Sequence, residues 1–343
     1  MTTEPKGLPR ATFAKLSPHP YLLANLEPSA ENATPARSNG RAPSSARPPT
    51  VNISSLSHAN GSALVRLGDT TVICGVRAET LLTTDIPNFR PDNRKTELAE
   101  YDLLVPNIEL ATGCSPQFLP GQPPSVLAQT LSARVYSLLH ASKLVSPESL
   151  RIWYTPSAGD DSDDDDKMQE DGEDDGENGE AEAVLMGYWV LYIDMFFISF
   201  DGNAFDAAWA AIVAALRNTR LPRASWDADR EMILCSGEDR VPLATNGLPI
   251  ACTAVVFTGK DTDRPGNDGK YWLLLDPDRL EESLCDETVT AVVDCSRGGG
   301  AQTQVLSISK HGGTTASGEL LRGYLAVAEK RWAEFHKAIT ASS

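Results

Sequence analysis

Residues 204–216, reading AFDAAWAAIVAAL, set Phe205, Ala207, Ala208, Trp209, Ile212, Val213 and Leu216 on all sides of a helix instead of along one stripe. A helix that is apolar all round has no face to give to water, so other elements must enclose it. It begins after an Asp201-Gly202 turn. Arg217, Asn218 and Pro222 end it, with the arginine favourable at the C-terminal end of the helix dipole. Any fold open to this chain must supply layers that cover the helix.

Most of the remaining patterned segments are strands. In GSALVRLGDTTVICGVRAET, residues 61–80, two β-rich runs (62–67 and 70–78) flank Gly68-Asp69, whose small polar residues suit a tight hairpin turn. A polar loop leads to an apolar run at 101–110. Residues 125–142 then carry Val126, Leu127, Thr130, Leu131, Arg134, Val135, Leu138 and Leu139 at helical spacing. Strand-like sequence stops at 155 and resumes at 184–200; further strands are expected at 250–258, 271–276, 288–295 and 304–309. Gly312-Gly313 marks a turn before a last helix, where Leu321, Tyr324, Leu325, Ala328, Trp332, Phe335 and Ile339 recur at steps of three and four. Strands followed by a helix, three times over and without regular βαβ alternation, predict an α+β fold of mixed or antiparallel sheets backed by helices.

Charge divides the chain further. Of the 47 acidic residues, 14 fall within 160–182 against a single Lys167, so the net charge of −17 belongs largely to that segment. Its position between two strand-like runs predicts a disordered acidic insertion at about 157–183 in a hairpin loop. Residues 1–50 hold Pro, Ser, Ala and Asn in a stretch too poor in apolar area to offset its ordering entropy, which predicts a partly disordered arm ahead of a domain at 51–343. Phe13, Leu16, Tyr21, Leu22, Leu23 and Leu26 suit a short docking helix near its start. No run of 18 apolar residues and no N-terminal apolar core of a signal peptide occur, so a soluble intracellular chain is expected. Cys74, Cys114, Cys235, Cys252, Cys285 and Cys295 lack metal-ligand spacing and read as free, mostly buried thiols; neither metal nor cofactor is expected, and no histidine stands in a nucleophile context.

The hairpin GSALVRLGDTTVICGVRAET, the strand-turn-helix DGNAFDAAWAAIVAAL, and the closing segments LLLDPDRLEESLCDETVTAVVD and ISKHGGTTASGELL resemble, in that order, the RNase PH family. The resemblance spans about 51–339 apart from the acidic insertion. It implies the RNase PH-like (ribosomal protein S5 domain 2-like) fold, and the family's work is phosphorolytic or hydrolytic 3' to 5' RNA trimming in a six-membered ring. The closing segments take the form seen in non-catalytic ring subunits of the RNA exosome. Implied partners are other RNase PH-like ring subunits, S1/KH cap subunits, associated nucleases and RNA. Nucleus, nucleolus and cytoplasm are the implied locations.

Active relatives hold phosphate with a Gly-Ser-Arg or Gly-Thr-Arg turn, where helix N-terminal N–H groups, a hydroxyl and a forked guanidinium converge on the dianion. The matching turn here is Gly202-Asn203-Ala204-Phe205, with Ala204 in the hydroxyl position and Phe205 in the arginine position. Catalytic residues are therefore expected to be absent. An active exoribonuclease would have to use Glu287, beside Asp286, as its carboxylate; a third reading is an acidic adaptor acting through 160–182. By the same resemblance Arg90, Arg94 and Lys95 lie in a loop that faces RNA and would touch phosphates without reading bases. Arg134, on an otherwise apolar helical face, reads as a snorkelling or salt-bridged residue. Where relatives carry an RPDGR-like string, this chain has ARSNGR at 36–41, so the arm is not expected to pack in the family's usual way.

Overall fold

A computed structural model describes residues 9–28, 34–94, 96–155, 183–259, 271–296, 302–312 and 318–342. The acidic insertion, most of the extreme N-terminus and Lys95 lie outside them, and so does the expectation that the insertion is disordered.

Two sheets enclose the central helix. Strands β1 (Pro49–Ile53), β2 (Gly61–Leu67), β3 (Thr70–Leu82), β4 (Leu104–Glu109), β5 (Arg151–Tyr154) and β6 (Val184–Ser199) form a six-stranded sheet in the order β1-β2-β3-β6-β4, with β5 added along the start of β6. Only β4 runs parallel to its neighbour β6; the other pairings are antiparallel. The β2–β3 hairpin turns at Gly68-Asp69 as predicted, with Gly68 at φ +58°. Strict alternation of buried residues along β2 and β3 (Ala63, Val65, Leu67; Val72, Cys74, Val76) aims one face at the core.

After three short helices, α1 (Arg10–Leu16), α2 (Pro18–Leu26) and α3 (Glu97–Glu100), the longer α4 (Val126–Ser142) starts on Ser125, whose hydroxyl caps the N–H of Ala128. Helix α5 (Ala204–Arg217) follows β6 directly, and all of 204–216 is buried. It packs on β2 and β3 on one side and on β9 (Ile250–Thr258) on the other. In chain order a short two-stranded ribbon, β7 (Arg220–Asp227) with β8 (Met232–Pro242), comes between α5 and the second sheet. That sheet, in the order β10-β9-β11-β12, adds β10 (Tyr271–Leu275), β11 (Glu287–Asp294) and β12 (Gln304–His311), all antiparallel. Helix α6 (Arg279–Leu284) bridges β10 and β11, and α7 (Gly318–Ser342) lies across β1, β9 and β11 with Tyr324, Ala328, Phe335 and Ile339 buried.

Three features depart from the sequence reading. The β7–β8 ribbon was not anticipated, because its strands carry charge on both faces and present no alternation. The expected single N-terminal helix is two, of which α2 seats Leu22 and Leu26 on Val255, Phe257, Leu274 and Cys285. Most consequentially, residues 34–48, read from composition as an arm without a core, hold Arg37 and Arg47 buried inside the domain. Cys74, Cys114, Cys252 and Cys285 are buried free thiols, and Cys235 is exposed.

The acidic insertion joins β5 and β6 where Tyr154 pairs with Val184. Two paired residues need only a two-residue turn between them. Replacing 156–182 by Asn-Gly is therefore expected to shift the thermal midpoint by no more than about 2 °C; a loss of cooperative unfolding would show that the insertion holds the domain together.

Candidate functional site

The turn that enters α5 is built from two consecutive left-handed residues, Gly202 (φ +76°) and Asn203 (φ +51°). Thr70 ties it to β3: its hydroxyl donates to the Gly202 carbonyl at 2.8 Å and accepts from the Asp201 N–H at 2.9 Å. A Cβ on Gly202 would stand 2.5–2.7 Å from backbone atoms of Pro277, Asp278 and Arg279, so only glycine allows the turn to press on the start of α6. Asn203 is welded in place. Its Nδ2 donates to Asp276 Oδ1 at 2.6 Å and to Asp206 Oδ2 at 3.0 Å, and its backbone N–H donates to Glu282 Oε1 at 2.7 Å.

Where the family resemblance places a hydroxyl and an arginine, Ala204 and Phe205 are both buried. The Arg134 guanidinium carbon, reaching over from α4, lies 4.0 Å from the centroid of the Phe205 ring. Arg134 also donates to Thr290 Oγ1 at 3.0 Å, and the Thr290 and Thr253 hydroxyls are 3.0 Å apart. Thr253 in turn donates to Asp206 through its N–H (2.8 Å) and its hydroxyl (2.7 Å). Among the described residues Arg134 forms no ion pair: it lids an aromatic ring and starts a hydrogen-bonded chain through β11 and β9 to the first turn of α5.

Electrostatics at this helix end are already satisfied from within. An α-helix N-terminus attracts negative charge, and here the chain's own Asp206, Glu282 and Asp276 surround it. Burial pushes the Asp206 carboxyl up, against its bonds to Thr253 and Asn203. Burial also pushes Glu282 up, to about 7, although the Asn203 N–H and Arg47 pull the other way. A phosphate dianion entering the same space would meet like charges at short range.

Residues from the arm complete the arrangement. Burial would raise the Asp276 carboxyl, but Arg47 overrides it, with Nη2 on Oδ1 and Nε on Oδ2 both at 2.8 Å, and brings it down to about 2. Arg41 adds a contact to Asp276 Oδ2 at 3.3 Å. Arg37 forks onto Glu281, with both side chains fully buried, and donates to the Leu275 carbonyl at 2.6 Å. Glu281 and Asp278 form the capping box of α6. ARSNGR, which stands where relatives carry an RPDGR-like string, fastens the arm through Arg37 and Arg41.

The remaining sequence candidates lie elsewhere. By strand alternation Glu287 shares a face with Val289, Ala291 and Val293, which pack on Tyr324 and Ala328 of α7. Thr290, beside Arg134, faces the opposite way, so the sheet separates Glu287 from the α5 turn. Glu287 pairs with Lys310 at 3.3 Å, and Asp286 is exposed. Arg90 and Arg94 are exposed in the loop before α3, and their side chains have no partner among the described residues. The loop itself is pinned by Asn93, which bonds Thr96 and Glu100, and by Glu97, buried against Arg151 at 2.6 Å. Sequence reasoning missed Asp276, Glu282 and the three arm arginines; the Asp-x-x-Glu capping signature at 278–281 was the one available signal.

Opposite signs follow for the two perturbed carboxyls. Asp276, held low, contributes stability that is present above about pH 4 and is lost as pH falls towards 2. Glu282, held high, favours its protonated form in the folded state, so stability falls as pH rises from about 4.5 to 7. Glu282→Gln keeps the acceptor for Asn203 and is expected to gain about 2 kcal/mol at pH 8 and nothing at pH 4 in urea denaturation. An equal effect at both pH values would mean that ionisation of Glu282 is not what costs stability.

A family model described as the 3' exoribonuclease family, domain 1, matches residues 45–222. Exosome complex component rrp43 of Schizosaccharomyces pombe is 31% identical over 320 residues, covering 93% of this chain and 94% of its own length. Exosome complex component Rrp42 of Methanopyrus kandleri is 31% identical and covers 75% of each chain. A solved structure of the Archaeoglobus fulgidus exosome with RNA bound to the active site superposes with a TM-score of 0.59 at 26% identity, covering 90% of this chain and 92% of that one. The match to rrp43 agrees with the sequence resemblance, which among ring subunits points to the ribosomal RNA-processing protein 43 type. With two sheets closed around α5, a family model matching 45–222 and a relative alike over nearly its whole length, the chain belongs to the RNase PH-type 3' exoribonuclease family.

Proposed function

We propose that the chain is a structural subunit of an RNA exosome ring that keeps the RNase PH fold and has no phosphorolytic activity of its own. One observation carries the second half of this reading: the α5 N-terminus is filled by the chain's own groups, with Glu282 on the Asn203 N–H and Arg134 over Phe205. The first half is supported by the near full-length similarity to an exosome component. Exposed apolar side chains that a lone domain has no use for, including Val126 (80% exposed), Leu119 (64%) and Ile198 (44%), suit burial against ring neighbours. On this reading the partners are other RNase PH-like ring subunits, S1/KH cap subunits and associated nucleases, in nucleus, nucleolus and cytoplasm. Processing and degradation of RNA, ribosomal RNA included, fall to those nucleases.

In this role Arg90, Arg94 and Lys95 contribute phosphate contacts along the RNA path. The isolated chain, given single-stranded RNA and inorganic phosphate, is expected to release no nucleoside diphosphate above background. Release that Glu287→Gln abolishes would overturn the inactive reading. For the reconstituted ring, Arg90→Ala with Arg94→Ala is expected to weaken RNA binding similarly for all sequences and to lower the salt slope by about 1–2; an unchanged slope would remove this loop from the RNA path.

A further inference from the structure

A second polar site lies where the arm meets α7, outside the α5 turn. Residues 42–45 form a β-turn closed by the Ser45 N–H on the Ala42 carbonyl at 3.0 Å. It is pinned from both sides: the Leu275 N–H donates to the Pro43 carbonyl at 3.0 Å, and Arg37 Nη1 donates to the Ser45 carbonyl at 3.2 Å. Between this turn and α7 is a cavity of 180 Å³ walled by Ser44, Ser45, Lys330, Arg331 and Glu334 over a floor of Leu275 and Val327. That space admits a tetrahedral oxyanion with accompanying water, since one water occupies about 30 Å³ of liquid.

Its donors are unspent. Arg331 is only 3% exposed and lies against the Phe335 ring at 4.7 Å. Its Nη1 binds Glu334 Oε2 at 2.5 Å, but Nη2 is buried with no partner among the described residues. Lys330 is exposed and, among the described residues, has no ion-pair partner; the hydroxyls of Ser44 and Ser45 make no hydrogen bond there either. The surroundings are rich in cations. Arg37, Arg41 and Arg47 share the carboxylates of Asp276, Glu281 and Asp201, and Arg41 Nη2, 4.0 Å from Glu281 Oε2, is a second buried guanidinium nitrogen without a hydrogen-bond partner among the described residues. A buried donor left unmade is costly, and a forked guanidinium matches the oxygens of phosphate.

We propose that this cavity binds a phosphoryl group through Lys330, Arg331 and the Ser44-Ser45 turn, fastening the arm to α7. The group is either inorganic phosphate or a phosphate esterified to Ser44 or Ser45, both of which are exposed. In the second case the serine Oγ takes the terminal phosphoryl of a nucleoside triphosphate from a protein kinase. The hydroxyl proton is lost to the kinase's base and a nucleoside diphosphate leaves. The site does not depend on the ring-subunit reading.

The test uses the full chain, free or within the reconstituted ring. Inorganic phosphate is titrated by calorimetry against sodium chloride of equal ionic strength. In parallel, chains carrying phosphoserine at 44 or 45 are titrated by phosphorus NMR. Saturable phosphate binding that Lys330→Gln weakens at least about fivefold supports the free anion. A phosphoserine whose second ionisation falls below its ordinary value of about 6, and returns to it in Lys330→Gln, supports the esterified one. Lys330 is exposed, so its replacement leaves folding intact, and Arg331→Lys retains the buried charge while removing the fork. Phosphate heats equal to chloride, together with phosphoserines that titrate as free residues, would overturn the proposal.

Discussion

Helix α5 has no side open to water, and its N-terminal turn is buried with the rest of it. Everything around that end follows from how the orphan N–H groups and the positive dipole are satisfied. In this chain the answer is internal. Glu282 takes the Asn203 N–H, Asp206 sits in the first turn, and Asp276 holds the Asn203 amide. Arg47 holds Asp276 ionised, whereas burial pushes Glu282 and Asp206 towards their protonated forms, with repulsion from neighbouring carboxylates a smaller contribution.

Such an arrangement has a limited worth as stabilisation. Taking Arg47 and Asp276 out of water costs several kcal/mol each, which their mutual attraction and hydrogen bonds only roughly offset. Removing one partner is a different matter, because an unpaired buried charge costs about 3–5 kcal/mol. The pair is therefore better understood as fixing one arrangement of the chain than as a source of stability. It fixes the arm at residues 34–48, the β10–α6 corner and the α5 turn against one another, three segments more than 70 residues apart in sequence.

Much of the fold was legible because periodicity reports burial. The α5 string, the β2–β3 hairpin and the heptad-like spacing of α7 each carry enough apolar residues to announce which side is inside. The β7–β8 ribbon and the ordered arm did not: the ribbon is joined by backbone bonds and sends only a few side chains, Leu221, Ala224 and Ile233, to the core, and Arg37 or Arg47 in a Pro/Ser-rich string looks the same whether solvated or buried. At the α5 turn, the sequence alone shows Ala204 and Phe205 where the family resemblance implies a hydroxyl and an arginine. What surrounds them could not be read in the same way, since Arg134, Glu282 and Asp276 come from three other elements and meet only in space.

That replacement bears on whether the site could ever be reopened. Putting serine at 204 and arginine at 205 would restore the two donors that the family's turn supplies, yet it would also set a second guanidinium beside Arg134, where an aromatic ring now lies at 4.0 Å. Like charges at that spacing, out of water, oppose each other by several kcal/mol. Glu282 would remain on the Asn203 N–H, and any phosphate would compete with it for the same donor. Removing Glu282 would then free the amide but leave Asp206 and Asp276, and Asp276 cannot be withdrawn without stranding Arg47 and releasing the arm. Asp276 and Asn203, which stand at the α5 N-terminus, also hold the domain's distant segments together, so altering that end unmakes part of the fold.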